Sequence, residues 1–477
     1  MTNDSIGPRD LRTEADRADD LRRAREAAMK MAAAAGAPER HREQLELLRA
    51  RRDESPVSQK FDILSSDLDS QFLVVRDELL TTRAALEDDE FRTIIDDVGL
   101  EPVVDEESSA AERSADDGPR GAGDVAPPRI PEDYLEGRVV RLRWKTGNED
   151  EDIGQALDRL RNDRYQVSRL HLMPLGAVMK GETTPEYTSE PWPVWEPPDR
   201  RGSVPVAVID TGIAHQPRDD GWLTELFPPQ GRGEEDPLDV LPNGPDDKLD
   251  AGAGHGSFVA GVVQQVAPEV PVMVYRVLDT DGLADEVQVA CAMVKAVDDL
   301  LTSKGRLILN LSLGTQTVDD LPPIAVAEAL VVIAERASAR RGEVLVIAAA
   351  GNEGTDRRFW PAAFDQVVAV AGLDPENLEP AEFSSHGPWV DCSTVAVAVR
   401  SPYVQGEEDR LFDSDPETWE EPGWAQWNGT SFAAPQVAAE VARRAGAANS
   451  SLADALDDLL QGEPALPGYG RRVRILG

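Results

Sequence analysis

From residue 203 onward, short apolar runs alternate with longer amphipathic stretches. VPVAVID (204–210), VPVMVYRVL (270–278), RLILNLSLG (306–314), EVLVIAAAGN (343–352) and QVVAVAGL (366–373) are apolar at nearly every position. Runs of that length and character predict strands covered on both faces. Between them, SFVAGVVQQV, ADEVQVACAMVKAVDDLL and PPIAVAEALVVIAERASARR have helical spacing. Strands alternating with helices predict an α/β fold, a mostly parallel sheet with helices on both faces. In such a sheet the functional groups sit at the carboxyl ends of the strands.

The first 200 residues follow other rules. Residues 9–53 are charged with helical spacing, and QFLVVRDELLTTRAALEDDEFRTII within 57–100 predicts further helix. Residues 104–133 mix acids with Ser, Gly and Pro and have too few apolar residues to build a core. Order returns over 138–178, where GRVVRLRW reads as a strand, DIGQALDRLRND as a helix and VSRLHLM as a strand. The expected division is a charged helical region (1–103), an acidic flexible linker (104–133), a small βαβ-type module (134–180), a Pro/Trp-rich connector (181–202) and the α/β domain (203–477).

Composition narrows the function. The 477 residues carry 89 Asp and Glu against 49 Lys and Arg, a formal charge of −40. Nucleic-acid phosphates need a basic surface, so no nucleic-acid partner is expected. No apolar run reaches the roughly 18 residues of a spanning helix, and no membrane association is expected. Two cysteines, Cys291 and Cys392, rule out a disulfide scaffold. The acidic N-terminus lacks an apolar leader core, so the expected compartment is the cytoplasm. The charged N-terminal helices read as solvated faces, with protein-partner binding as the alternative.

Four polar residues stand at expected strand ends or helix starts. Asp210 closes the first strand in DTGI, His255 opens a helix in GHGSFVAG, Asn352 follows a strand in AAAGNEG, and Ser431 precedes a helix in NGTSFAAP. Taken singly, each has a structural explanation: turn cap, packed histidine, turn residue and N-cap. Together with NLSLG (310–314) and the Asp–His–Ser order, they resemble the subtilisin family of serine proteases over about residues 203–445.

The resemblance implies a serine endopeptidase acting on protein or peptide substrates. Ser431 is the implied nucleophile, His255 the base, Asp210 its orienting partner and Asn352 an oxyanion donor. Ser312, Leu313 and Gly314 are the implied edge that pairs with the substrate. No step needs a cofactor, and the acidic loop 233–250 lacks a ligand register for calcium, so no metal is assigned. His215 and His386 read as loop residues, and Cys291 as core. The family's small α/β pro-segment makes 138–178 a candidate folding aid or gate. This chain departs from the family's pattern at Ser257-Phe258 and Thr315. The first leaves His255 intact, with Phe258 as packing. Thr315 and GTDRRFWPAAF imply a restricted pocket for the side chain before the scissile bond, and Glu353 at its rim implies a preference for a basic one. An inactive scaffold is the rival reading; the complete set of four polar residues speaks against it.

Overall fold

The computed structural model describes residues 37–55, 58–67, 70–103, 130–145, 152–161, 165–175, 186–188, 203–226, 233–241, 244–376, 378–409 and 416–476. Most of the predicted linker and connector, and the first 36 residues, therefore lie outside the described residues. Helix α1 (Ala37–Glu54) forms within the first predicted helical stretch and buries Leu45 and Leu48.

The helix predicted across 57–100 is a correction. Strands β1 (Phe61–Asp67) and β2 (Ser70–Thr82) occupy its first part, and the main helix there is α2 (Asp89–Asp97). The pattern misleads for a physical reason. Phe72, Val75 and Leu79 recur at helical spacing, but Asp77 has φ 59°. The register of β2 against its neighbour shifts between Val74 and Leu79. A bulge of this kind restarts a strand's alternation in a new phase. Thr82 then starts the helical segment by accepting a hydrogen bond from Ala85 N.

Strand β3 (Leu100–Pro102) follows, then β4 (Val139–Trp144), α3 (Ile153–Leu160) and β5 (Val167–Pro174). The strand–helix–strand order over 138–178 is present, but it is not a module by itself. Strand β2 lies between β4 and β5, antiparallel to both. Two parallel strands joined through a helix leave a gap here that only the upstream strand fills. Residues 61–102 and 130–175 thus build one α/β unit.

The C-terminal half contains β6 (Val206–Asp210), β7 (Ile213–Ala214), β8 (Glu235–Asp236), α4 (His255–Val266), β9 (Val272–Arg276) and β10 (Leu283–Asp285). Next come α5 (Glu286–Leu300), β11 (Arg306–Leu311), α6 (Ile324–Arg340), β12 (Glu343–Ala349) and β13 (Val367–Leu373). Strand β14 (Cys392–Val395), α7 (Ala434–Ala448) and β15 (Gly470–Arg472) complete it. The main sheet runs β9-β6-β11-β12-β13-β14-β15, each of these neighbouring pairs parallel, and a short strand at Ala465–Leu466 pairs antiparallel with β15 at its edge. Val206 and Val208 point into the core under α4 and α7, while Ala207 and Ile209 point into the core under α5 and α6. Cover on both faces is why these strands lack alternation. Cys291 and Cys392 are buried free thiols.

The two halves share a core and a sheet. The N-terminal sheet packs one face on its own α2 and α3, through Leu79, Leu142, Phe91 and Leu157. Its other face, with Leu73, Val75 and Leu172, joins the core under α5 and α6. Its edge strand β5 pairs antiparallel with β10 of the C-terminal half.

Candidate active site

Asp210 is the last residue of β6, and His255 is the first residue of α4. The backbone brings them together by leaving out side chains. Gly254 precedes the helix at φ 77°, and a Cβ there would meet Tyr403 and Val404 at 2.7 Å. A Cβ on Gly256 would meet the Gly212 carbonyl oxygen at 2.3 Å. With both glycines in place, His255 Nδ1 lies 2.8 and 3.0 Å from the two Asp210 carboxylate oxygens. Asp210 Oδ1 also accepts from Thr211 N at 2.8 Å. The carboxylate assigns the proton to Nδ1, which leaves Nε2 as the basic nitrogen. The imidazole is walled by Trp427 and Phe432, whose ring centroids lie 5.3 and 5.4 Å from its own.

Ser431 sits in a single 3₁₀ turn, Thr430–Phe432, just before α7, with Pro435 in that helix's first turn. Its Oγ donates to the Ser312 carbonyl at 3.0 Å, and Ser312 Oγ donates to the Ser431 carbonyl at 2.7 Å. Asn310 Nδ2 donates to Ser312 Oγ at 3.0 Å. Asn352 Oδ1 accepts from both Thr430 N and Thr430 Oγ1, each at 2.9 Å. Those two bonds fix the amide orientation and leave Nδ2 as the group available for donation. Gly429 (φ 150°) is the neighbour of that amide: a Cβ there would come within 3.3 Å of Nδ2.

The edge Ser312–Gly314 already has a strand against it. Gly314 N donates to the Pro174 carbonyl at 3.0 Å, and Leu313 bridges Leu175 antiparallel. On the other side, Leu175 N donates to the Gly282 carbonyl at 3.0 Å, and Leu172 to Pro174 pair with β10. Residues 172–175 thus lie between two strand edges, extended, with Leu175 packed on Gly282. A Cβ on Gly282 would meet Leu175 Cδ1 at 2.7 Å.

Charge ties the N-terminal residues to this region. Arg51 pairs with Asp250, and Arg52 with Asp279 and Asp281. Arg141, buried, lies 3.0 Å from Asp285 Oδ1. Burial lowers the Arg141 pKa, but Asp285, Glu132 and Glu78 outweigh it and the net shift is upward. Burial alone would raise Asp285; Arg141 and the Gln288 N–H reverse it and hold the carboxyl low. Buried His171 donates its N–H to Glu286 at 3.2 Å, with Nδ1 3.1 Å from the same oxygen.

Other candidate residues fall elsewhere. His215 lies 3.5 Å from Glu235, and His386 stacks on Tyr469 at 5.2 Å. Phe258 packs on Phe432 and Trp427. Thr315 exchanges backbone hydrogen bonds with Trp360, and Gly314 abuts Phe359. Glu353 accepts from Ser385 Oγ at 3.0 Å. Among the described residues no group of His, Cys, Asp and Glu is arranged to hold a metal ion, and no helix is long and apolar enough to cross a membrane. Sequence reasoning missed Thr211, Asp236 and the pairing segment 172–175. Asp236 is one acid among many in GEEDPLD, and nothing in its spacing distinguishes it.

A family model described as the subtilase family matches residues 201–461. The thermophilic serine proteinase of Bacillus sp. (strain AK1) is 28% identical over 282 residues, 56% of this chain and 59% of that protein. Subtilisin BL of Lederbergia lenta is 31% identical over 250 residues, 50% of this chain and 75% of that protein. The chain thus spans less than two thirds of the thermophilic proteinase. Among solved structures, fervidolysin from Fervidobacterium pennivorans, described as a keratinolytic enzyme related to subtilisin, aligns with a TM-score of 0.49 at 18% identity. The alignment covers 84% of this chain and 60% of that one.

Proposed function

The chain belongs to the subtilase family, whose model spans residues 201–461, and on that premise we propose that it is a serine endopeptidase cleaving protein or peptide substrates. The observation that carries the reading is the buried Asp210–His255 contact at 2.8 Å, with Asn352 Nδ2 left as a donor. Ser431 is the nucleophile. Its hydroxyl turns from the Ser312 carbonyl onto His255 Nε2 when substrate binds. His255 takes the proton, then delivers it to the leaving amine. Asp210 holds the ring and stabilises the imidazolium without itself being protonated. Asn352 Nδ2 and the Ser431 N–H stabilise the oxyanion, aided by the amino end of α7. None of these steps calls on a metal or an organic cofactor.

The same reading makes the N-terminal α/β unit a gate. Its segment 172–175 pairs with Leu313, Gly314 and β10, the edges a substrate strand would use. While it stays there, a peptide has no strand edge to join. The cytoplasm is the proposed compartment; two buried free thiols and a low cysteine count accord with it, and cell fractionation tests it. The activity itself is tested by a fluorophosphonate probe and peptide mapping on the full chain. Labelling falls on Ser431, and Ser431→Ala abolishes both labelling and peptide hydrolysis with the fold retained. Labelling that persists on another serine refutes the assignment.

A further inference from the structure

Asp236 is buried at the end of β8, beside β7, and two of its three hydrogen bonds leave its own loop. Its Oδ2 accepts from Thr211 Oγ1 at 2.9 Å and from Gly254 N at 2.9 Å. Its Oδ1 accepts from Leu238 N at 3.1 Å, a local turn bond. Thr211 Oγ1 in turn accepts from Gly256 N at 3.0 Å. Thr211 is the residue after Asp210, and Gly254 and Gly256 flank His255 on both sides. One carboxylate, with one hydroxyl, therefore ties the end of β6 to the start of α4 at three points around the Asp210–His255 pair.

We propose that Asp236 is a positioning residue for the reaction, which sets the alignment of Asp210 and His255 through the Thr211 hydroxyl and the Gly254 N–H. The inference rests on the endopeptidase reading above. Packing alone limits the approach in one direction, because Gly212 and Gly256 already meet with no room for a Cβ. It does not stop the helix start from sliding or turning relative to the strand end. Two donors converging on one buried oxygen do that, since each bond to an ionised acceptor is strong and directional. Only the carboxylate accepts all three donors. In Asp236→Asn an amide NH₂ replaces one oxygen and faces either the Leu238 N–H or the Thr211 and Gly254 pair, donor against donor. Asp236 touches neither the imidazole nor the cleft, so its effect is on turnover and not on substrate binding.

The experiment uses the full chain and a peptide substrate, with active sites counted by a fluorophosphonate titrant. Asp236→Asn lowers kcat per titrated site by about 10- to 100-fold, the loss expected for a displaced catalytic pair, with KM unchanged. Thr211→Val, which keeps the shape and removes the hydroxyl, gives the same loss, and Thr211→Ser restores turnover to within about twofold. A purely structural role would lower the number of titratable sites and leave kcat per site intact; that outcome overturns the proposal. So does a rise in KM at constant kcat. If Asp236→Asn does not fold, the Thr211→Val and Thr211→Ser pair decides the matter. A chain that neither hydrolyses peptide nor labels, even when Arg141→Met loosens the N-terminal unit, overturns the endopeptidase reading and this proposal with it. An active chain in which both variants turn over normally overturns this proposal alone.

Discussion

Arg141→Met tests the gate, and its size follows from the partners of the guanidinium. Arg141 Nη2 lies 3.0 and 3.1 Å from the two Asp285 oxygens, with both side chains buried. Its other partners, Glu132 at 2.9 Å and Glu78 at 3.2 Å, belong to the same N-terminal unit and stay with it when the unit lifts away. Only the Asp285 contact is lost on opening. Removing one partner of a buried pair costs about 3–5 kcal/mol when the remaining charge is uncompensated. Here Asp285 keeps the Val287 and Gln288 N–H groups, each at 3.0 Å. The cost is therefore nearer 2–3 kcal/mol, or about 30- to 150-fold in the closed-to-open ratio. The assay is the initial rate of hydrolysis of a short fluorogenic peptide by the full chain, with intact mass showing that it is uncut. Arg141→Met raises the basal rate by that factor, up to the ceiling of the fully open enzyme. A rate within about twofold of wild type, from an uncut chain that is otherwise active, refutes the claim that this charge pair holds the cleft shut.

Two further expectations follow from the site. Asn352→Ala lowers kcat by about 10²–10³ with KM little changed, a magnitude carried over from subtilisin itself; steady-state kinetics check it, and a raised KM at constant kcat assigns Asn352 to substrate binding instead. Burial pushes the Asp236 pKa up to about 6, against its three hydrogen bonds and Arg276, with Tyr403 also nearby. The native state then holds this proton more tightly than the unfolded chain, so its contribution to stability is greatest below about pH 4 and falls as pH rises through 6. That loss is about 3 kcal/mol. Urea unfolding of Ser431→Ala with and without Asp236→Asn, at pH 4.5 and 7, shows it as a stability gap between the two chains that changes with pH, the Asp236 chain losing more as pH rises; a gap independent of pH refutes it.

Much of the C-terminal half was legible because its signals are local. A strand covered on both faces must be apolar throughout, and Val206 to Ile209 is. The groups Asp210, His255, Asn352 and Ser431 stand at strand ends and helix starts, where neighbouring glycines and a first-turn proline mark the chain's direction. Hydrophobic pattern, however, reports burial without naming the partner. Phe72, Val75 and Leu79 would bury a helix face as readily as a strand, and only the bulge at Asp77 and the flanking β4 and β5 make them a strand. Likewise, the 138–178 pattern held its strands and helix but not the strand from across the linker that separates them. The same limit applies to charge. Asp236, Asp281 and Asp285 are three acids among 89, alike in sequence and different in surroundings. It took the tertiary structure to bring Thr211 and the glycines beside His255 to the first, and guanidinium groups from the N-terminal residues to the other two. A hydrogen bond or ion pair depends on where two distant backbones converge, and that convergence is set by the packing of the whole core.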